Sequence, residues 1–130
     1  MPQMTAADKD ALRTEIYDLL YELGITVNHQ GFLYISGAVY FCMEQPELLR
    51  TFSRDIYPKL IKTYHADPNT IEDRVQKIIQ GVWYKHSDRL IRMSGHTLQH
   101  RPPPAQFIRI LCEYLTRRHA DGSPEDSPTF

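Results

Sequence analysis

Hydrophobic residues recur at helical spacing in the first part of the chain. Between residues 12 and 23 an apolar residue returns every three or four positions, which predicts a helix with one buried face. Thr5 and Asp8 are spaced as a capping box at its start, and Gly24 is expected to end it. Segment 31–43 contains residues that would suit a strand, but its length and lack of alternation predict a buried helix. The apolar residues of the first helix are Leu12, Ile16, Leu19, Leu20 and Leu23.

Prolines and glycines divide the rest of the chain into shorter helices. Pro46 is expected to open one of them, and residues 55–65 form another. Pro58 is compatible with that helix only in its first turn, because proline has no N–H to donate to the preceding turn. Further along, Ser87 is expected to cap a short helix that Gly95 stops.

A break at residues 66–69 precedes the clearest amphipathic pattern in the chain. It predicts a helix from about residue 70 to 84, with Asn69 as the N-cap and Glu72 as its capping-box partner. The apolar stripe of this helix consists of Ile71, Val75, Ile78, Ile79 and Val82. The residues expected to face away from the stripe are Thr70, Asp73, Gln76, Lys77 and Gln80.

The last predicted helix follows the proline-rich linker 96–104 and is expected to close before Gly122. The pattern as a whole predicts an all-α fold of about six helices. We expect an N-terminal extension over 1–10, a helical domain over 11–118, and an acidic, disordered tail over 119–130. The apolar residues of the last helix are Phe107, Ile110, Leu111, Tyr114 and Leu115.

The two segments around the break have the pattern of a helix-turn-helix, over about residues 55–84. Because the major groove of DNA admits one α-helix, polar residues opposite the stripe become candidates for base contacts. Ile61 stands where a small residue is usual in the first helix, and His65 stands where the turn often has glycine. Two helices around a tight turn also occur in bundles that never meet DNA. By pattern alone, both interpretations remain open.

The net charge hides a polarised distribution of acidic and basic residues. The chain has 130 residues, enough for one domain with a real core, and carries 15 basic and 16 acidic side chains. Residues 1–49 have a net charge of −5, residues 50–118 of +7 and residues 119–130 of −3. This asymmetry predicts a basic face for nucleic acid, unless folding interleaves the segments.

Other classes of function find little support in the sequence. No apolar run reaches the ~18 residues of a membrane span and no signal peptide is recognisable, so we expect a cytoplasmic protein without a membrane partner. His96 and His100 have a metal-like spacing, but Gly95 and three following prolines disfavour a helix there, so no metal or other cofactor is expected. No nucleophile motif supports an enzyme. Cys42 and Cys112 are expected to be buried, reduced thiols.

Landmark residues follow one another in a recognisable order: Glu22, Leu23, Gly24, Gly31, Tyr34, Ile35, Ile56, Tyr57, Pro58, Ile71, Glu72, Ile79, Trp83, Phe107 and Ile108. In this order the chain resembles the C-terminal effector domain of the stage-zero sporulation master regulator of spore-forming Firmicutes, over about residues 12–116. The resemblance implies an all-helical, nucleoid-associated domain that regulates transcription of sporulation genes. It implies double-stranded DNA as the partner, bound at a short box, with a homodimer on DNA as a further expectation.

The resemblance, together with the basic charge, assigns roles to residues around the second helix of the motif. It implies that outward residues read bases, that polar and basic neighbours hold phosphates, and that the following segment contacts the sigma factor of RNA polymerase. The expected base readers are Thr70, Glu72, Asp73, Gln76 and Lys77. The expected phosphate contacts are Asn69, Arg74, Lys85 and Arg89. The expected sigma-factor contacts are Lys85, Asp88, Arg89 and Arg92.

Two departures from the family change the expectation. The family joins this domain to a phosphorylated receiver domain, for which this chain has no room, so regulation comes from elsewhere or the chain is a fragment. The family's second helix is also rich in arginine at the positions of Thr70, Asp73 and Gln76, and has histidine where Lys77 stands. Since arginine pairs with guanine, aspartate accepts from cytosine and glutamine pairs with adenine, the sequence predicts an altered box preference.

Asp73 also motivates an alternative from another class of function. A carboxylate on the reading face is repelled by phosphates, so the domain would have kept its fold and lost base reading. It would then be a protein-interaction module that modulates a family member or a sigma factor.

Overall fold

Five α-helices and one short 3-10 helix make up the part of the chain that the structure, a computed structural model, describes, which is residues 4–120. No strand occurs in that range, and the all-α prediction is confirmed. Five helices rather than about six is a small difference, explained below. The elements are α1 (Ala6–Glu22), α2 (Phe32–Glu44), the 3-10 helix (Pro46–Leu49), α3 (Phe52–Tyr64), α4 (Pro68–Ser94) and α5 (Pro104–Ala120).

Helix α1 begins and ends as predicted. The Asp8 amide donates to Thr5 Oγ1 at 3.1 Å and the Thr5 amide donates to Asp8 Oδ2 at 3.0 Å, which is a complete capping box. After the helix, Gly24 has a φ of 79°, in the left-handed region that favours glycine. A Cβ atom at Gly24 would also lie 2.7 Å from Nε2 of His86, so glycine lets the end of α1 pack directly on α4.

Helix α2 is the buried helix that its apolar sequence predicts, and it lies at the centre of the fold. It packs against α1, α3, α4, α5 and the 3-10 helix. Its buried residues are Phe32, Ile35, Ser36, Gly37, Ala38, Val39 and Cys42. Because other elements pack on most of its surface, α2 needs no broad polar face toward solvent. This explains why its sequence shows no helical alternation of apolar and polar residues.

The predicted start of α3 at residue 55 is wrong. The helix begins at Phe52, whose ring is buried and packs edge-on against Tyr57 at 5.6 Å between centroids. Pro58 therefore lies in the second turn instead of the first. Pro58 and Arg54 are both exposed, so the Arg54 carbonyl that loses its usual N–H partner lies on the solvent side of the helix.

Asn69 is not the N-cap of α4, and Glu72 is not its capping-box partner. Asp67 caps the helix: its Oδ2 accepts from the amides of Asn69 at 2.9 Å and Thr70 at 3.2 Å. Pro68 then occupies the first helical position, where its missing N–H costs nothing and its fixed φ suits a helix. The helix begins earlier than predicted because proline is favoured at the first helical position, which makes the residue before it the cap.

The two helical segments predicted after the break are both present and meet at a kink within α4. α4 continues to Ser94, and only His86, at φ −136° and ψ 29°, leaves helical geometry. The second segment therefore begins beside Ser87, where the sequence predicts the start of a short helix. It ends at Gly95, with φ 80°, as predicted. Because the two segments run on as one element, the helix count is five.

The core lies between the helices and contains the predicted apolar stripes of α1, α4 and α5. In the stripe of the last helix only Tyr114 is not fully buried. Residues 6–10 lie in α1, while His119 in α5 contacts Glu15 in α1 at 2.9 Å. Gly122 and the rest of the predicted tail lie outside the described residues. Within residues 4–120, no helix combines the length and apolarity that crossing a membrane requires.

The cap assignment of α4 can be tested by comparing two alanine variants. Asp67→Ala removes the acceptor for two amides and should lower the free energy of unfolding by about 1 kcal/mol. Asn69→Ala is the matched control, two residues further along the chain. It should change the free energy of unfolding by less than about 0.5 kcal/mol. Urea denaturation measures both, and a larger loss for Asn69→Ala would contradict the assignment.

Candidate nucleic-acid interface

Helices α3 and α4 meet at a tight turn formed by residues 65–67. His65 ends α3 with a φ of 52°, the one positive φ among the described non-glycine residues, and its amide donates to the Ile61 carbonyl. Asp67 starts α4 two residues later. His65 therefore adopts the left-handed conformation that ends α3, and the helix-turn-helix forms without a glycine in its turn.

A hydrogen-bonded cluster fixes α4 against α3. The Tyr57 hydroxyl donates to Oε1 of Glu72 at 2.5 Å, and Nε2 of Gln76 donates to Oε2 of the same carboxylate at 2.8 Å. Burial and the neighbouring Glu72 carboxylate raise the pKa of Tyr57 far above its usual range. Glu72 thus uses both oxygens within the protein, and Gln76 beside it is half-buried.

The outer face of α4 carries an ion-pair cluster next to the Glu72 contacts. Oδ2 of Asp73 lies 3.3 Å from Nζ of Lys77 and 3.6 Å from Nη1 of Arg74. Asn69, Thr70, Asp73 and Lys77 are exposed, whereas Glu72, Arg74 and Gln76 are half-buried. All five predicted base readers and two of the four predicted phosphate contacts therefore lie within three turns of one helix.

The four predicted sigma-factor contacts lie at or beyond the kink in α4. Lys85, Asp88, Arg89 and Arg92 are all exposed. Arg89 pairs with Glu22 of α1 at 3.7 Å and Arg92 pairs with Asp88 at 3.8 Å. Among residues 4–120, no carboxylate oxygen lies within 4.0 Å of the Lys85 ammonium group. The kink at His86 separates this surface from the outer face of the first three turns.

The structure adds a basic cleft that the sequence did not reveal. The loop between α1 and α2 packs beside α4 and encloses about 90 Å³, and His29, Lys77, Gly81, Lys85 and His86 line it. Nδ1 of His29 accepts from the Thr26 amide at 3.0 Å, which leaves its other ring nitrogen as the donor. No local pattern could predict that residue 29 lies beside residues 77–86, because tertiary packing of the loop on α4, at Gly24 and at Gly31, places it there.

Tyr84 is a second feature that the sequence analysis missed. Its side chain is 85% exposed, although it lies on a helix whose other face belongs to the core. Tyr84 follows Gln80 by one helical turn. The spacing that identified the apolar stripe could therefore also have predicted that Tyr84 lies on the polar face. An aromatic ring held in solvent next to Lys85 is available for contact with a partner.

The two histidines with metal-like spacing do not share a helical face. His96 and His100 lie in the segment between α4 and α5, as the neighbouring glycine and prolines predict. In the described part of the chain, no three metal-ligating side chains come together.

A helix-turn-helix whose second helix is capped, anchored to the first and polar outside is the arrangement of a DNA-binding domain. The family model for the C-terminal domain of the sporulation initiation factor, described as "Sporulation initiation factor Spo0A C terminal", matches residues 16–115. The chain belongs to this family of DNA-binding regulatory domains, which is not an enzyme family. The match covers nearly the range of the resemblance at residues 12–116.

The Tyr57–Glu72 contact makes stability fall at alkaline pH. Because folding raises the pKa of Tyr57, its contribution is complete below about pH 10 and is lost as pH rises above that value. We expect the free energy of unfolding of the wild type to fall above pH 10 more steeply than that of Tyr57→Phe, by about 1 kcal/mol per pH unit.

Tyr84→Phe is the matched control, since that hydroxyl is on an exposed side chain. Its alkaline slope should equal that of the wild type when both are measured by urea denaturation at several pH values. If Tyr57→Phe also kept the wild-type slope, Tyr57 would not be coupled to folding through its proton.

Proposed function

We propose that this domain is a sequence-specific transcription regulator that places the first three turns of α4 in the major groove and prefers a box different from the family's. The observation that carries the proposal is the outer face of α4, where Asp73 and Gln76 lie on an intact helix-turn-helix at positions that the resemblance assigns to arginine. The fold that presents the helix is retained. The change affects which bases the helix can recognise.

The strengths of the local contacts assign different roles to neighbouring residues. The Asp73–Lys77 pair is exposed, and such pairs contribute about 1 kcal/mol or less, so DNA can separate them at little cost. A good base contact is worth about 1 to 3 kcal/mol, which exceeds that cost. Asp73 is therefore available to accept a hydrogen bond from cytosine. Lys77 is available to bind a phosphate or a hydrogen-bond acceptor on a base.

Glu72 has a different role in this proposal from direct base reading. Its carboxylate is half-buried and bonded to both Tyr57 and Gln76, so exposing it to a base would break two contacts at once. We assign Glu72 to holding Gln76 in place, with the Gln76 amide facing the groove. Thr70 completes the reading set at the first turn of the helix.

Phosphate contacts in the proposal come from both sides of the reading set. Asn69 is exposed near the start of α4, and its side-chain amide can donate to a phosphate. Arg74, Lys85 and Arg89 supply positive charge further along, each phosphate contact adding about 0.9 to the salt slope of binding. A second copy on an adjacent box would add affinity, and a bound protein would be found on the nucleoid.

A second candidate function is supported by the surface around the kink. Tyr84 is highly exposed and lies just before the kink together with Lys85, while Asp88 and Arg92 follow it. Aromatic and arginine side chains of this kind are enriched at protein interfaces. This surface would contact a sigma factor, either alongside DNA binding or, if base reading is lost, in place of it.

DNA binding is tested with a randomised pool of labelled duplexes, by fluorescence anisotropy at low salt. We expect saturable binding and, after selection, enrichment of a box that differs from the family box. Lys77→Ala should weaken binding to every duplex and reduce the salt slope by about 0.9. Lys9→Ala on α1 removes the same charge away from α4 and should leave both unchanged. No binding by the wild type to any duplex would disprove the proposal.

Asp73→Asn distinguishes base reading from its loss. Removal of the carboxylate should strengthen binding to all duplexes by roughly threefold to tenfold, because a repulsion from phosphates disappears and Lys77 is freed. If Asp73 reads a base, preference at one base pair should change as well. Stronger binding with an unchanged preference at every position would show that Asp73 is not a reader.

A further inference from the structure

Two cysteines that DNA binding does not use come together between α2 and α5. Cys42 is 1% exposed, Cys112 is 3% exposed, and both are free thiols. Sγ of Cys112 lies 3.8 Å from the carbonyl oxygen of Val39, one helical turn before Cys42. Cys42 and Cys112 also line the same groove between the two helices. The two side chains thus come together although their residues are far apart in the sequence.

A groove open at the surface reaches both sulfur atoms. Its volume is about 390 Å³, and its lining is mainly apolar. It runs between α2, the 3-10 helix and α5, with Met43, Pro46 and Leu49 on one side and Arg117 on the other. A small uncharged reagent can enter such a groove, whereas the low exposure of the sulfur atoms excludes large ones. Reactions of the two thiols with reagents from solution are therefore selective for small reagents.

The surroundings make the two thiols unequal. The hydrogen bond from Cys112 lowers the pKa of Cys42 and outweighs the opposite effect of burial, with a further contribution from the Arg109 guanidinium. The same hydrogen bond, together with burial, raises the pKa of Cys112. Thiolates are the reactive form of cysteine, so Cys42 is the first of the two to react.

We propose that Cys42 and Cys112 form a dithiol site that reacts with hydroperoxides and closes to a disulfide between α2 and α5. The Cys42 thiolate attacks a peroxide oxygen and the O–O bond breaks. Cys42 becomes a sulfenic acid, and the leaving hydroxide or alkoxide takes the proton released by the thiol. The sulfur of Cys112 then attacks that of Cys42, the S–O bond breaks, and the hydroxyl leaves with the Cys112 proton as water. Two thiols are oxidised and one hydroperoxide is reduced.

The disulfide would enclose the whole helix-turn-helix. The loop closed by residues 42 and 112 contains α3 and α4, and a cross-link over a long loop restricts the unfolded chain. The oxidised protein should therefore melt at a higher temperature than the reduced protein, by about 10 °C. A reductant should reverse the shift completely.

Treatment of the purified full chain with hydrogen peroxide tests the site. Intact mass should fall by two hydrogen atoms per monomer, and dithiothreitol should restore it along with the lower Tm. A gain of oxygen atoms without loss of hydrogen, a disulfide between two chains, or no reaction by folded protein would overturn the proposal. The same peroxide dose on urea-unfolded chain confirms that the reagent is active.

Single variants test the separate roles of the two thiols. In Cys112→Ser the sulfenic acid at Cys42 has no partner, so dimedone should label Cys42. Cys42→Ser should be labelled about tenfold less, because the remaining thiol is the less ionised one. Circular dichroism shows whether each variant folds, and the wild-type mass measurement does not depend on them. Preferential labelling of Cys112 would contradict the assigned order of attack.

Discussion

Burial of one apolar stripe holds α4 against the rest of the fold and thereby sets which side chains face outward. Ile71, Val75 and Ile79 lie in the core, and exposing any one of them would cost about 1.5 to 3 kcal/mol. The ion pairs on the opposite face contribute about 1 kcal/mol or less each. Packing on the inside therefore decides the rotation of the helix. The outer residues can therefore change with little effect on the fold.

A second constraint acts at the junction of α3 and α4. Tyr57 and Glu72 join the two helices by a contact that neither helix could make alone, and Gln76 adds to it. Glu72 therefore helps to hold the two helices of the motif together. A residue expected to read DNA is thus engaged mainly by the protein.

Helical periodicity was enough to predict the buried faces and the all-α class, because burial follows the spacing of apolar residues. The ends of helices were harder to predict. Asp67 and Asn69 are both good caps, and only the position of Pro68 favours the first. The kink at His86 lies where the sequence predicts one helix to end and the next to begin, whereas the packing of His86 beside Gly24, a residue remote in sequence, could not be predicted from local spacing. The Tyr57–Glu72 contact and the cleft at His29 likewise depend on tertiary packing.

The near-neutral total charge is compatible with DNA binding because basic and acidic side chains are concentrated in different parts of the fold. Basic side chains gather along α4 and in the cleft beside it, while much of the acidic charge of residues 1–49 lies on α1. Asp73 reduces that local positive charge, so affinity depends on contacts made by particular residues more than on general attraction. We therefore expect weak affinity for DNA of unrelated sequence and a clear difference in affinity between the preferred box and other sequences.

The central claim is that the first three turns of α4 contact DNA. The most direct test is an NMR titration of the isotope-labelled chain with a duplex recovered from pool selection. The account predicts that amide shifts concentrate in residues 67–80, with smaller changes around His29 and Lys85. Shifts confined to α1 or α5, with residues 67–80 unaffected, would contradict it.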